Sequence, residues 1–189
     1  SVNLTSNDTQ NRTNGTLTGT WNFNDDDTTD TEQNNETKWY RNGTEQTNLA
    51  NLTSITPENT TKGEEWIFSI RVNDGTEWSN FTNSSTLTIT NTAPTNPSTN
   101  INSTDGTNQT NQNLNCFATI TDDDSTDKLN ITIKWYKNGT LNITTDFNNS
   151  YTNGINFNTE LGSGNTTIGD NWNCSLRSYD GMDYSNWVN

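Results

Sequence analysis

Apolar and polar residues alternate with a period of two along most of this chain, and no long stretch carries the 3.6-residue period of a helix. Ile131, Ile133 and Trp135 alternate with Asn130, Thr132 and Lys134. Trp66, Phe68, Ile70 and Val72 alternate with Ile67, Ser69 and Arg71, and Trp172, Cys174 and Leu176 follow the same rule. Leu114, Cys116, Ala118 and Ile120 share one face of another predicted strand, as do Leu17, Gly19, Trp21 and Phe23. Leu87 and Ile89 mark one more. Between these segments, Asn42-Gly43, Asp74-Gly75, Asn138-Gly139 and Asp180-Gly181 predict hairpin turns, since both pairs tolerate the positive φ that tight turns demand. Short strands separated by such turns predict an all-β antiparallel sandwich.

The pattern occurs twice. Trp39-Tyr40-Arg41-Asn42-Gly43-Thr44 returns as Trp135-Tyr136-Lys137-Asn138-Gly139-Thr140. Gly63-Glu64-Glu65-Trp66 returns as Gly169-Asp170-Asn171-Trp172, and Trp78-Ser79-Asn80 as Tyr184-Ser185-Asn186. Residues 1–13 align with 98–110, including Leu4 with Ile101. The expected organisation is a first domain at 1–92, a linker at 93–97 stiffened by Pro94 and Pro97, and a second domain at 98–189. The alternating segment from Ser84 to Asn91 has no counterpart before Asn189, so the second sandwich is expected to lack its closing strand. Such a duplication points to a tandem array or a polymerising subunit.

Cys116 falls on the predicted strand before an acidic turn, Trp135 on the next strand, and Cys174 on the strand after Trp172. That is the order of an immunoglobulin-type core, with cysteines on strands B and F and a tryptophan on strand C. Two buried free thiols are the other reading; a bridge would contribute about 4 kcal/mol by loop closure. The matching positions in the first copy are Gly19 and Phe68, where a phenyl ring opposite a residue without a side chain fills the same space. Trp-Tyr-(Lys/Arg)-Asn-Gly, followed by Gly-(Asp/Glu)-X-Trp and Asp-Gly, resembles the tandem immunoglobulin-like repeats of archaeal and bacterial cell-surface proteins. The resemblance covers both copies and implies two tandem immunoglobulin-like antiparallel β-sandwiches. It says little of function, because such repeats build stalks, surface layers, adhesins and filaments alike.

Composition narrows the setting. Leu, Ile, Val and Phe supply only 30 of 189 residues and the net charge is −14, a balance that ordinarily favours disorder. Seven Trp and five Tyr at recurring positions supply the missing core volume. Nine Lys and Arg against 23 Asp and Glu exclude a phosphate-tracking surface, so nucleic acid is not an expected partner. No apolar run in the chain reaches the length of a membrane span. Eighteen Asn-X-Ser/Thr sequons occur, where 36 Asn and 53 Ser and Thr in random order would give roughly ten. They lie at Asn3, Asn7, Asn11, Asn14, Asn35, Asn42, Asn51, Asn59, Asn80 and Asn83 in the first copy. Asn102, Asn108, Asn130, Asn138, Asn142, Asn148, Asn165 and Asn173 follow in the second. One reading is an Asn- and Thr-rich polar surface; the other is N-linked glycans at an extracellular surface, shielding thinly cored sandwiches.

Catalysis has little to work with: the chain has no His, and both cysteines fit a core bridge better than a nucleophile. The acidic turns are the candidate ligand site. Asp25, Asp27 and Asp30 lie between strands B and C of the first copy, Asp122, Asp124 and Asp127 between those of the second, and Asp74 and Asp180 in the F–G turns. These loops cluster at one end of the fold, so four carboxylates per domain are expected to converge there. They either hold Ca²⁺ or cap turns in a solvated loop. Trp78, Tyr184 and Trp187 either stack on sugars or pack against protein. Val2 and Leu4, on one face of the N-terminal segment, are the expected assembly strand, pairing with copies of the same chain or with neighbouring repeats.

Overall fold

Fourteen strands form among the described residues, which are all but Thr28 in a computed structural model of the chain. They fall into two units, Ser1–Thr92 and Ala93–Asn189. Unit 1 holds β1 (Val2–Ser6), β2 (Leu17–Trp21), β3 (Asn34–Arg41), β4 (Thr44–Glu45), β5 (Ser54–Ile55), β6 (Glu65–Asn73), β7 (Thr82–Asn83) and β8 (Leu87–Thr88). One sheet runs β1-β2-β5 and the other β4-β3-β6-β7, with β8 also on β6. Unit 2 holds β9 (Asn100–Ser103), β10 (Leu114–Thr119), β11 (Lys128–Lys137), β12 (Thr140–Thr152), β13 (Asn156–Leu161) and β14 (Trp172–Tyr179). Its sheets run β13-β10-β9 and β12-β11-β14. All these strand pairings are antiparallel.

Alternation places one face of each long strand inside. Leu129, Ile131, Ile133 and Trp135 of β11 are buried while the residues between them are half-buried. Unit 1 fills its core with rings: Trp39, Trp66 and Phe68 are fully buried, Trp39 lying edge-on to Phe68 at 5.1 Å and to Trp66 at 6.2 Å. The Trp39 indole N–H donates to the Leu52 carbonyl at 2.9 Å, so burial leaves no orphaned donor. In unit 2 the Cys116–Cys174 disulfide joins β10 to β14 across the sheets, beside Trp135. Gly19 and Phe68 hold the equivalent place in unit 1, and a Cβ on Gly19 would come within 2.4 Å of the Phe68 ring.

The Asn-Gly pairs make two-residue hairpins. Asn42 and Gly43 have φ of 49° and 77°, and Asn138 and Gly139 of 51° and 80°, with Arg41 opposite Thr44 and Lys137 opposite Thr140. The Asp-Gly turns are wider, closed by the bridges Asn73–Trp78 and Tyr179–Tyr184. Residues 93–97 differ from a free spacer: the Thr95 N–H donates to the Thr121 carbonyl, and the Asn186 N–H to Asn96 Oδ1.

The two units close differently. In unit 1, Leu87 and Thr88 pair with Trp66 and Glu65, and Ile89 exchanges bonds with Gly63 and Glu64. Thr90 then donates to the Asn11 carbonyl in the β1–β2 loop. In unit 2 the closing edge starts, with Tyr184 bridged to Tyr179 and Val188 to Leu176. Val188 is equivalent to Thr82, so the edge is begun along β14, but no strand of residues 93–189 other than β11 pairs at Trp172, whose ring has Lys137 5.4 Å away.

Candidate functional site

The acidic loops of the two units are not alike. In unit 1, carboxylate oxygens of Asp25, Asp27 and Asp30 lie within 4.8 Å of one another. Asp27 is exposed, and Asp25 Oδ1 accepts from the Asp27 N–H. Asp74 does not join them, contrary to the expected convergence of four carboxylates. Its Oδ1 instead accepts the N–H groups of Glu77 and Thr76, which hold its carboxyl below the ordinary value.

In unit 2, Asp122, Asp127 and Asp180 bring carboxylate oxygens within 4.8 Å of one another. Here the residue of the Asp-Gly turn does join, although its Oδ1 also accepts from Met182 and Asp183. Asp122 and Asp127 are only 7% and 8% exposed, and Asp124 is buried beside them without entering the cluster. Asp122 is held firmly. Its N–H donates to Asn153 Oδ1 at 3.0 Å, and its carbonyl accepts from Asn153 Nδ2 at 2.7 Å. Its Oδ1 accepts from the Asp124 N–H at 2.8 Å, while Oδ2 is buried with no hydrogen-bond partner. Burial, with like charge from Asp124, Asp127 and Asp180, pushes this carboxyl up to about 6 against the pull of the Asp124 N–H.

A groove of about 980 Å³ is the second candidate. Ile101, Leu114, Ile168 and Trp172 give it apolar walls, and Asn108 and Asp170 stand on its rim. Its position matches the place where Leu87–Thr90 lie in unit 1. The counterparts of its walls are covered there: Leu4 is 8% exposed against 37% for Ile101, and Leu17 and Trp66 are fully buried where Leu114 and Trp172 are half-buried. The Trp66 indole N–H donates to Glu64 Oε2, whereas the Trp172 N–H is buried without a partner. Sequence repetition indicated the missing cover; the lining from the β9–β10 loop was not visible in it.

Val2 and Leu4 belong to β1, paired with Trp21 and Gly19, and Leu4 is in the core of its own unit. Donating them to a neighbour would therefore cost unit 1 a strand and a core residue. Of the 18 sequon asparagines, none is buried and only Asn11, Asn59 and Asn130 are half-buried, so each side chain can be reached in the folded protein. In the hairpin turns Asn42 and Asn138 use Oδ1, accepting from Glu65 and Asn171, and not the nitrogen that carries a glycan. The aromatic candidates have protein partners. Arg71 lies 4.7 Å from the Trp78 ring, Arg177 lies 4.0 Å from Tyr184 and 4.6 Å from Trp187, and Lys134 lies 4.1 Å from Trp187. Among the described residues no helix is long and apolar enough to cross a membrane.

Among solved structures, the chain is similar to the selenomethionine-substituted chicken interferon gamma receptor alpha chain. The match has 9% identity, covers 98% of this chain and 93% of that one, and has a TM-score of 0.53. A two fibronectin type-III domain segment from chicken tenascin matches at 17% identity over 98% of this chain and 94% of that one, with a TM-score of 0.45. No family model matches the sequence, and no curated protein matches it. With the sheet orders and the bridge between β10 and β14, the first likeness establishes the fold as two immunoglobulin-like sandwiches in tandem.

Proposed function

We propose that this chain is a non-enzymatic, heavily N-glycosylated structural protein of the cell exterior, of archaeal or bacterial surface type. In this reading it is a subunit of a head-to-tail filament or surface layer. The carrying observation is the groove beside Trp172, in a unit whose twin has the same place filled by a strand of its own. A strand of the Leu87–Asn91 kind fits by its chemistry: aliphatic residues at alternate positions meet the apolar walls, and its backbone pairs with the edge of β14 from Trp172 to Ser175, ahead of the Leu176–Val188 bridge. In the filament reading that strand comes from a neighbouring copy, whose β1 would leave its own sheet to supply it; in a spacer or stalk of a longer repeat protein it comes from a further repeat of the same chain. The disulfide and the accessible sequons support an oxidising, glycosylating environment. Copies of the chain are then its partners. An adhesin is the weaker reading, because the rings that would stack on sugars already hold cations.

Hydrogen exchange on the isolated chain tests this. The amides of Trp172–Ser175 should exchange faster than those of Trp66–Ser69, and a synthetic Ser84–Asn91 peptide should slow them. Equal protection of both units in a monodisperse monomer, with no effect of the peptide, would contradict the proposal.

A further inference from the structure

We propose that unit 2 binds one Ca²⁺ through the carboxylates of Asp122, Asp127 and Asp180. This rests on different residues from the groove and is independent of how the chain assembles.

Two observations carry it. First, the loop between β10 and β11 and the turn after β14 bring three carboxylates together, with oxygens within 4.8 Å of one another. Oxygens bound to one Ca²⁺ at about 2.3–2.6 Å stand at most roughly 4.6–5.2 Å apart, a limit these three satisfy. Secondly, Asp122 is 7% exposed and its Oδ2 has no hydrogen-bond partner. An ionised oxygen buried in this way is costly unless something positive meets it. The protein nevertheless holds it rigidly, with the Asn153 amide gripping both its N–H and its carbonyl. The donor set selects the ion. All the donors are hard oxygens, the chain has no His, and both cysteines are in the disulfide, so the nitrogen and sulfur ligands that favour zinc are missing. Magnesium gives up its waters reluctantly and demands near-octahedral geometry, which a set of buried carboxylates suits less well than calcium.

The contrast with unit 1 makes the proposal specific. Asp25, Asp27 and Asp30 are as close together, but Asp27 is exposed, Asp74 is turned to its own loop, and no oxygen there is buried without a partner among the described residues. One ion per chain follows, not two.

The test is a calorimetric titration of the full, chelator-treated chain with CaCl₂ to about 10 mM, above the affinities of extracellular calcium modules. Thermal melting is followed in parallel. One ion should bind per chain and raise the melting temperature of unit 2. Asp122→Asn should weaken binding about tenfold or more, because ligand charge sets affinity. Asp27→Asn should leave stoichiometry and affinity unchanged. Without calcium, Asp122→Asn should melt no lower than the native chain, since it replaces an unfavourable buried charge; a purely structural aspartate would give the opposite. Asp180→Asn serves as the second variant should Asp122→Asn fail to fold. Absence of binding at 10 mM, undiminished binding by both variants, or an equal response to MgCl₂ would overturn the proposal.

Discussion

Gly19 and Phe68 show how one core position is filled in two ways. The Phe68 ring occupies the space of a Gly19 side chain, at 2.4 Å from where a Cβ would stand, and its neighbours Trp39 and Trp21 limit its retreat. Gly19→Ala should therefore destabilise unit 1 by about 1–3 kcal/mol through overpacking, read as a lower midpoint in denaturant. Charge at the residue scale is carried by Asp8. Arg12 grips it through Nε and Nη2, the latter at 2.6 Å, and the N–H groups of Arg12 and Gln10 donate to it as well. These bonds hold its carboxyl at about 2, below the ordinary 3.8. A carboxyl lowered on folding stabilises the protein above its unfolded value and loses that contribution as pH falls through the folded one. Asp8→Asn should accordingly flatten the acid loss of unit 1 stability between pH 3.8 and about 2. An NMR titration that places Asp8 at its ordinary value would contradict this.

At the level of elements, the disulfide and the long β12 hairpin edge decide how unit 2 behaves. Replacing Cys116 and Cys174 together by Ala should cost about 4 kcal/mol in unit 2, the value for a 58-residue separation, and leave unit 1 unchanged in a two-transition melt. Strand β12 pairs with β11 alone among the described strands, and Asn142 and Asn148 stand exposed on it. Glycans there would block edge-to-edge pairing. Asn142→Gln with Asn148→Gln should raise self-association of host-expressed material, measured by light scattering, more than Asn3→Gln does. Much of this was legible in the sequence. Periodicity gave β6, β11 and β14, and the Asn-Gly pairs placed two hairpins. Strand β12 was not drawn, although Leu141, Ile143, Phe147 and Tyr151 alternate with polar residues; Thr145 and Asn149 interrupt that apolar face, from which Ile143, Phe147 and Tyr151 pack on the core. Phe157 and Leu161 of β13 are core residues whose apolar signal is diluted by Asn156, Asn158, Thr159 and Glu160. The two acidic loops looked equivalent for a similar reason: residue type shows charge, whereas the burial of Asp122 depends on Asn153, far along the chain.

For the molecule as a whole, two nearly identical plans end in different states. Unit 1 covers its Trp66 end with Leu87–Thr90, and unit 2 leaves the Trp172 end as a groove. A lightly cored sandwich with an apolar groove and a strand edge open ahead of Leu176 gains from a partner strand, at the cost to the donor of a place in its own sheet such as β1 holds. Occupation of the groove by an extended strand from a neighbouring copy is the central claim of the filament reading. Electron microscopy of native, cell-derived assemblies at a resolution that traces backbone tests it most directly. The account predicts continuous filaments or sheets in which each Trp172 groove holds an extended strand from an adjacent subunit, antiparallel to β14. A groove left to solvent, or filled by the same chain running on past Asn189, would contradict it.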